Sequence, residues 1–261
     1  MANVEYLNPH QIESFFEEGT SFKRTRRKTK KQNKEQSSNF SFSLKTIKPK
    51  TETQEMIFDS YRSTEQNMFL HGFAGTGKSF ISLYLMLSDL LNKSMDYKKI
   101  MIIRSTVPSR DQGFLPGNAS EKAKVYEAPY VQIFNELFGR SDIYELMKKR
   151  KELEFESTSY LRGTTFNDCL VFVDEAQNMS RAELFTVLTR VGENCRIVLA
   201  GDFFQSDLQR DNEKKGILEV MNILKTMNSV DFFEFKKEDI VRSGFVKELL
   251  IAESEYKRKH Y

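Results

Sequence analysis

Short apolar runs alternate with longer amphipathic segments along most of the chain. The short runs are typical of strands that are buried on both faces. They predict strands at Met68–His71, Ile100–Ile103, Leu170–Val173, Arg196–Ala200 and Val230–Phe235. The longer segments have apolar residues at helical spacing and predict helices at Lys78–Asn92, Tyr130–Phe138, Arg181–Arg190, Glu213–Met227 and Gly244–Tyr256. This alternation predicts a three-layer α/β fold with a mainly parallel sheet, in which ligands bind beyond the carboxyl ends of the strands.

The first 43 residues differ from the rest of the chain in charge and in pattern. They show no core-forming periodicity, and residues 20–35 contain eight Lys or Arg against one acidic residue. We therefore expect a basic and disordered tail or linker over residues 1–43, followed by one ordered domain over residues 44–261. The cations of the tail favour salt-dependent and sequence-independent binding to nucleic acid. The alternative is a solvated segment that aids solubility.

The residue types that hold metals and disulfides are scarce. Cys169 and Cys195 are too few and too isolated in sequence for a disulfide framework or a zinc site, and the three histidines stand apart from one another. The start of the chain has no apolar signal region, and no apolar run approaches the length of a membrane span. These features predict a cytoplasmic protein with no membrane partner.

A glycine-rich loop carries the clearest chemistry. The stretch "GFAGTGKS" fits the pattern G-x-x-x-x-G-K-[ST], and it lies between a predicted strand and a predicted helix, as this phosphate-binding motif requires. We expect the loop to bind ATP, with the Lys78 ammonium at the β- and γ-phosphates and the Ser79 hydroxyl on Mg²⁺. The predicted nucleotide-binding residues of the loop are Gly72, Phe73, Ala74, Gly75, Thr76, Gly77, Lys78 and Ser79.

Two carboxylates follow the most apolar strand, in the stretch "CLVFVDEAQN". Asp174 is the expected second Mg²⁺ ligand, since a carboxylate at this strand end commonly binds the metal. Glu175 is the expected general base, because it is placed next to the metal ligand to activate a water for attack on the γ-phosphate. A small-molecule kinase must exclude that water, so the pair favours ATP hydrolysis. The alternative for these acids is the capping of the following helix.

Two glutamines are weaker candidates. Gln205, in "VLAGDFFQSDL", follows another strand end, where its amide could bond either water or a phosphate oxygen and so sense the γ-phosphate. Gln54 lies about twenty residues before the phosphate loop, and its amide can both donate to and accept from an adenine edge. The alternative for Gln54 is an exposed polar position on a helix.

The order of these motifs resembles one known family. "GFAGTGKS", "GFLPG", "YLRGTTFND", "VDEAQN", "LTRVG", "GDFFQSDL" and "DIVRSG" occur in the order seen in the PhoH family of ATPases, over about Gln54 to Tyr256. The family is similar to the first RecA-like lobe of superfamily 1 helicases. The resemblance implies a RecA-like fold, ATPase activity, RNA unwinding in some members, and a hexameric ring. It also suits a bacterial protein, or one encoded by a phage in a bacterial host.

A single lobe leaves one catalytic element unassigned. Helicases of this type hydrolyse ATP between two lobes, and an arginine of the second lobe stabilises the charge on the transferring phosphoryl group. Only about fifty residues follow Leu208, which are too few for a second sheet. We therefore expect the arginine to come from a neighbouring subunit in a head-to-tail assembly. Arg242 is the first candidate and Arg162 the second, and for each the alternative is an ordinary structural arginine.

These observations favour a ring-forming ATPase that acts on RNA or single-stranded DNA. The alternative is an ATP-dependent switch or scaffold that remodels a protein partner without moving along nucleic acid. The fold cannot decide between them, because RecA-like cores serve both functions. Stimulation of ATP turnover by nucleic acid would distinguish the two.

Overall fold

The computed structural model describes residues 43–92, 96–105, 119–158, 161, 163, 165–202 and 211–260. Their strands are β1 (Asn67–Gly72), β2 (Lys99–Arg104), β3 (Leu153–Ser157), β4 (Cys169–Asp174), β5 (Cys195–Gly201) and β6 (Val230–Phe235). They form one sheet in the order β3-β2-β4-β5-β1-β6, and every neighbouring pair is parallel. β5 therefore lies between the strand that leads to the glycine-rich loop and the strand that ends in the acidic pair.

Helices connect the strands and cover the sheet. They are α1 (Glu52–Ser63), α2 (Lys78–Asn92), α3 (Ala119–Phe138), α4 (Ile143–Lys149), α5 (Arg181–Leu188), α6 (Asp211–Lys225) and α7 (Gly244–His260). Single 3-10 turns follow β4 at Ala176–Asn178 and β6 at Lys237–Asp239. None of the helices described is long and apolar enough to span a bilayer.

Alternate strand residues enter two separate cores, one on each face of the sheet. On one face, Leu70 and Phe172 pack with apolar residues of α1, α2, α3 and α4. On the other face, Val171 and Leu199 pack with apolar residues of α5 and α6. The strands are apolar on both faces for this reason. The predicted three-layer α/β fold with a mainly parallel sheet is confirmed.

The five predicted strands are all present, and a sixth was missed. The missed strand is β3, which lies at the edge of the sheet and is only partly buried along most of its length. Its sequence, "LEFES", alternates apolar and acidic residues, and Glu154 pairs with Lys99 of the neighbouring β2 at 2.7 Å. An edge strand can carry such charges because one side of it faces water.

The predicted helices are present with different limits, and two others were missed. α3 begins at Ala119 rather than Tyr130, because it continues through Pro129. A proline leaves the carbonyl four residues earlier without its helical partner. That carbonyl belongs to Val125, an exposed residue of the helix. The missed helices are α1, whose N-cap is the Thr51 hydroxyl, and the short α4.

Candidate functional site

The loop between β1 and α2 has the backbone conformation that its glycines allow. Gly72, Gly75 and Gly77 have φ angles of 111°, 73° and 84°, in the region that residues with a side chain rarely adopt. α2 begins at Lys78, so the unpaired N–H groups of its first turn lie at the carboxyl end of β1. A helix N-terminus that follows a glycine-rich loop is a binding site for phosphate. The backbone of residues 72–79 therefore fits a phosphate loop, and phosphate binding by these residues stays a prediction.

The first glycine of the phosphate loop is in close contact with the end of β6. A Cβ atom at Gly72 would lie 2.1 Å from the carbonyl oxygen of Phe235, so no other residue fits there. The next residue, Phe73, donates its backbone N–H to the same oxygen at 3.1 Å. The last strand of the sheet thus supports the start of the loop.

The lysine of the phosphate loop is bound to backbone oxygens of the loop itself. The Lys78 ammonium donates to the carbonyls of Gly72 at 2.8 Å and Phe73 at 2.7 Å. Burial lowers the pKa of Lys78, and nearby carboxylates, of which Asp202 has the largest effect, oppose that shift. A partly desolvated ammonium at this end of the sheet is suited to bind a polyphosphate.

The two predicted Mg²⁺ ligands lie within hydrogen-bond distance of each other. The Ser79 hydroxyl, at the start of α2, donates to both carboxylate oxygens of Asp174, at 3.0 and 3.1 Å. A hydroxyl and a carboxylate are oxygen ligands of the kind that Mg²⁺ prefers, and the metal keeps several waters when few protein ligands are present. These residues therefore fit a magnesium ion bound together with a nucleotide.

Asp174 is held from its other side by an aromatic residue of α3. The buried Tyr130 hydroxyl donates to Asp174 at 3.0 Å, and Tyr130 is in turn hydrogen-bonded to Arg104 at the end of β2. Burial, and then the charge of Glu175, raises the pKa of Asp174 to about 6. The hydrogen bond from Tyr130 and the charge of Arg104 oppose this rise, so these two side chains favour the ionised form that a metal ligand needs.

Glu175 follows the strand in a left-handed conformation, with φ 51° and ψ 41°. Its carboxylate accepts a hydrogen bond of 2.5 Å from the side-chain amide of Gln177. The other end of that amide accepts the backbone N–H of Asp202, the residue after β5, at 3.0 Å. The buried Gln177 thus connects the predicted general base to the loop that follows the neighbouring strand.

Gln54 is buried rather than exposed. Its side-chain amide donates to the carbonyl of Thr76 at 2.9 Å and accepts the N–H of Lys50 at 2.8 Å. The alternative of an exposed polar position on a helix is therefore wrong. Gln54 lies against the phosphate loop, and its role at the adenine edge stays a prediction.

Arg242 lies beside the phosphate loop of its own chain. A Cβ atom at Gly75 would be 2.9 Å from Cγ of Arg242, and the N–H of Val241 donates to the carbonyl of Gly75 at 3.1 Å. Arg242 is exposed to solvent. A neighbouring subunit could therefore approach it, and its action across an interface stays a prediction. The other candidates, Gln205 and Arg162, lie outside the described residues.

Two side chains of the site were missed by the sequence interpretation. Gln177 is part of the stretch "VDEAQN", and a polar residue two positions after Glu175 on a 3-10 turn could have indicated a contact. Tyr130 has no local signal, because it comes from a helix 44 residues before Asp174. The packing of α3 over the sheet brings its hydroxyl to Asp174, the predicted metal ligand.

Comparisons with known proteins give a consistent picture. The sequence matches the family model described as PhoH-like protein over residues 46–253. A PhoH-like protein of Synechocystis is 34% identical over 185 residues, which cover 70% of this chain and 55% of that protein. Protein PhoH of Escherichia coli K12 is 34% identical over 193 residues, which cover 73% of this chain and 54% of that protein. A PhoH-like protein of Bacillus subtilis is 31% identical over 209 residues, with 80% and 64% covered. The chain thus spans less than two thirds of the length of these relatives.

Solved structures with a related arrangement are more distant. The large terminase of a thermophilic bacteriophage is 11% identical with a TM-score of 0.46, over 77% of this chain and 50% of that one. The Hef helicase domain of Pyrococcus furiosus is 16% identical with a TM-score of 0.44, and the match covers 72% of this chain and 38% of that one. These values are too low to indicate a shared function.

Proposed function

The chain belongs to the PhoH-like protein family, and from this premise we propose that it is a Mg²⁺-dependent ATPase that acts on RNA or single-stranded DNA as a hexameric ring. The observation that carries the ATPase proposal is the approach of Ser79 and Asp174 at 3.0 Å. One belongs to the phosphate loop and the other ends the acidic strand, so the two elements meet where a nucleotide and its metal would bind. Glu175, the predicted general base, is the next residue after Asp174.

Each side chain of the site has a separate task in hydrolysis. The phosphate loop and Lys78 bind the β- and γ-phosphates and neutralise part of their charge. Ser79 and Asp174 would hold the magnesium ion, which supplies further charge stabilisation when bound. Glu175 accepts a proton from the attacking water as the water oxygen bonds to the γ-phosphorus. The bond from the γ-phosphorus to the β,γ-bridging oxygen breaks, and ADP leaves. The amide of Gln177 holds the Glu175 carboxylate in a fixed orientation for that step.

The exposed surface of α7 supports the proposal of a ring. None of the described side chains of α7, residues 244–256, is buried. Phe245, Leu249 and Tyr256 are 75%, 55% and 60% exposed, and their spacing puts them on one face of the helix. The helix begins two residues after Arg242, beside the phosphate loop. A second copy that covers this face would bring its own residues next to the nucleotide, as an arginine in trans requires.

The proposal of a nucleic-acid substrate is supported by the family and by the basic segment at residues 20–35. Eight cations in sixteen residues can neutralise several phosphates. A protein partner in place of nucleic acid would leave ATP turnover unchanged when RNA or DNA is added. That result would favour the switch or scaffold function instead.

The ATPase proposal is tested with two variants that act on different steps. Lys78→Ala is expected to abolish tight ATP binding, because Lys78 contacts the phosphates before reaction. Glu175→Gln is expected to bind ATP normally and to lose turnover, because Glu175 acts only on the water. Phosphate release and the binding of a fluorescent ATP analogue measure the two effects. Glu219→Gln serves as the control, since its exposed ion pair with Arg181 contributes little. Turnover by Glu175→Gln near the parent rate would reject the general-base role.

The role of Arg242 is tested by mixing two inactive variants. Arg242→Ala is expected to bind ATP and to lose most turnover, since an arginine in trans contributes about 10³–10⁵ in rate. Mixed rings of Arg242→Ala and Glu175→Gln contain some sites with an intact Glu175 and an intact Arg242 of the neighbour, so activity should return. If the subunits co-assemble and no activity returns, Arg242 acts within its own chain, where it already touches Gly75, or not at all.

The proposed ring interface on α7 is tested by removing its exposed apolar side chains. Phe245→Ser together with Leu249→Ser removes exposed apolar side chains without opening a core, so the monomer should keep its fold. The expected result is a smaller particle in analytical ultracentrifugation. An unchanged assembly would exclude this face as the ring interface.

A further inference from the structure

Two cysteines that are 26 positions apart in sequence lie side by side in the sheet. Cys169 begins β4, Cys195 begins β5, and the two residues are register partners. Their Sγ atoms are 3.5 Å apart, and both thiols are free. Partners on adjacent strands are separated by about 4.8 Å, which lies within the Cα separation of about 4.4–6.8 Å that a disulfide spans. The two cysteines look isolated in the sequence, but they are neighbours in the fold.

The backbone keeps the two cysteines together. Each follows a residue with a left-handed backbone, Asp168 with φ 53° and Asn194 with φ 50°. The Asn194 side-chain amide donates to the Asp168 carboxylate at 3.1 Å, and the N–H of Cys169 donates to the carbonyl of Asn194 at 3.1 Å. The starting points of β4 and β5 are thus tied to each other. The backbone around the two cysteines therefore helps to keep their sulfurs close together.

The two thiols differ in their access to solvent. Cys169 is fully buried, whereas Cys195 is partly exposed. Burial, and then the adjacent Cys195, raises the pKa of Cys169, so that thiol is not the first to react with an oxidant. A dissolved oxidant therefore reaches Cys195 first, and Cys169 is the neighbour that can react with the product.

We propose that Cys169 and Cys195 form a reversible oxidation site, in which a hydroperoxide converts the two thiols into an intrachain disulfide. The sulfur of Cys195 attacks the terminal oxygen of the hydroperoxide ROOH, the O–O bond breaks, and the Cys195 proton passes to the departing RO group. ROH leaves, which is water when the oxidant is hydrogen peroxide, and a sulfenic acid remains on Cys195. The sulfur of Cys169 then attacks the sulfur of Cys195, and the S–O bond breaks. The Cys169 proton passes to the departing hydroxyl, which leaves as water. The thiols lose two electrons and two protons in total, and the peroxide takes up both. The disulfide prevents further oxidation of Cys195 to a sulfinic acid.

The disulfide would enclose the segment that carries Asp174 and Glu175, and it would fix the entry of both strands at the end of the sheet away from the phosphate loop. The sulfurs need to approach by roughly 1.5 Å, because bonded sulfurs are about 2.05 Å apart. A cross-link of this kind mainly restricts the unfolded chain, so it should stabilise the folded domain. The site is independent of the proposed ATPase activity.

The proposal is tested on the folded full-length chain with hydrogen peroxide, followed by alkylation under denaturing conditions and intact-mass measurement. The expected product is a monomer that has lost about 2 Da, takes up no alkylating reagent, and regains both thiols with dithiothreitol. Its melting temperature should rise by roughly 5 °C or more, since the closed loop is of moderate length. Peptide mapping should find Cys169 bonded to Cys195.

Two variants separate the roles of the thiols. In Cys169→Ala the partner is missing, so Cys195 should gain about 32 Da as a sulfinic acid that dithiothreitol does not reverse. In Cys195→Ser the new hydroxyl can bond the carbonyl of Phe166, which lies 3.3 Å from the present sulfur, so the fold should persist. The remaining Cys169 should then resist peroxide. The proposal is overturned if the parent chain gains about 32 Da as fast as Cys169→Ala does, if both thiols stay reactive to the alkylating reagent, or if the only disulfide joins two chains.

Discussion

Replacement of Gln177 by methionine tests whether the amide between β4 and β5 positions the general base. The change keeps the length of the side chain and removes both hydrogen bonds, to Glu175 at 2.5 Å and from the N–H of Asp202 at 3.0 Å. A hydrogen bond to a charged group contributes about 1.5–3 kcal/mol. If that free energy holds Glu175 in its reactive orientation, kcat should fall by about 10- to 150-fold. The buried Asp202 N–H would lose its bond to Gln177, at a cost of about 1–3 kcal/mol in stability.

The assay measures phosphate release at saturating ATP together with the affinity for a fluorescent ATP analogue. We expect kcat to fall with little change in affinity, because Gln177 does not belong to the phosphate loop. Gln132→Met, at an exposed position of α3, is the matched control and should leave both quantities unchanged. The reasoning fails if Gln177→Met keeps its kcat within twofold of the parent. It also fails if ATP binding is lost together with kcat, since the amide would then be a structural support for the whole site.

Three further predictions address the loop, the metal ligand and the basic tail. Gly72→Ala should lower the free energy of unfolding by about 3 kcal/mol or more, because its Cβ would meet a backbone oxygen of β6 at 2.1 Å. The measurement is a urea titration. Gly244→Ala is the control, since a Cβ atom at Gly244 would have no neighbour within 4 Å. Tyr130→Phe removes the buried donor to Asp174, so half-maximal ATP turnover should need about 10-fold more Mg²⁺, and superimposable Mg²⁺ titrations would contradict this. Deletion of residues 1–43 should leave basal ATPase activity intact and flatten the plot of log K against log salt by about 0.7 for each lost phosphate contact on single strands. An unchanged slope would assign the tail to solubility.

The parts of the site that the sequence predicted are those that depend on neighbours in the chain. The glycines, Lys78 and Ser79 belong to one loop, and their conformation follows from the loop and the helix after it. Asp174 could be related to them because both stretches follow apolar strands, and parallel strands present their carboxyl ends on the same edge.

The parts that the sequence did not predict depend on strand order and helix packing. Gln177 meets Asp202 only because β5 lies beside β4, and no local pattern determines that order. Tyr130 reaches Asp174 through the packing of α3, whose path through Pro129 the sequence interpretation did not follow. Cys169 and Cys195 share a register that only the completed sheet establishes.

The contact between the phosphate loop and the end of β6 has a consequence for the order of folding. Gly72 and Phe73 lie against Phe235, and the carbonyl of Gly75 bonds the N–H of Val241, far later in the chain. The phosphate-loop motif is therefore synthesised well before Phe235 and Val241, the residues that it contacts. A chain that is cut or stalled before β6 keeps the complete phosphate-binding motif and lacks the strand on which it rests. We therefore expect the phosphate loop to reach its described conformation only after β6 has been synthesised and has joined the sheet.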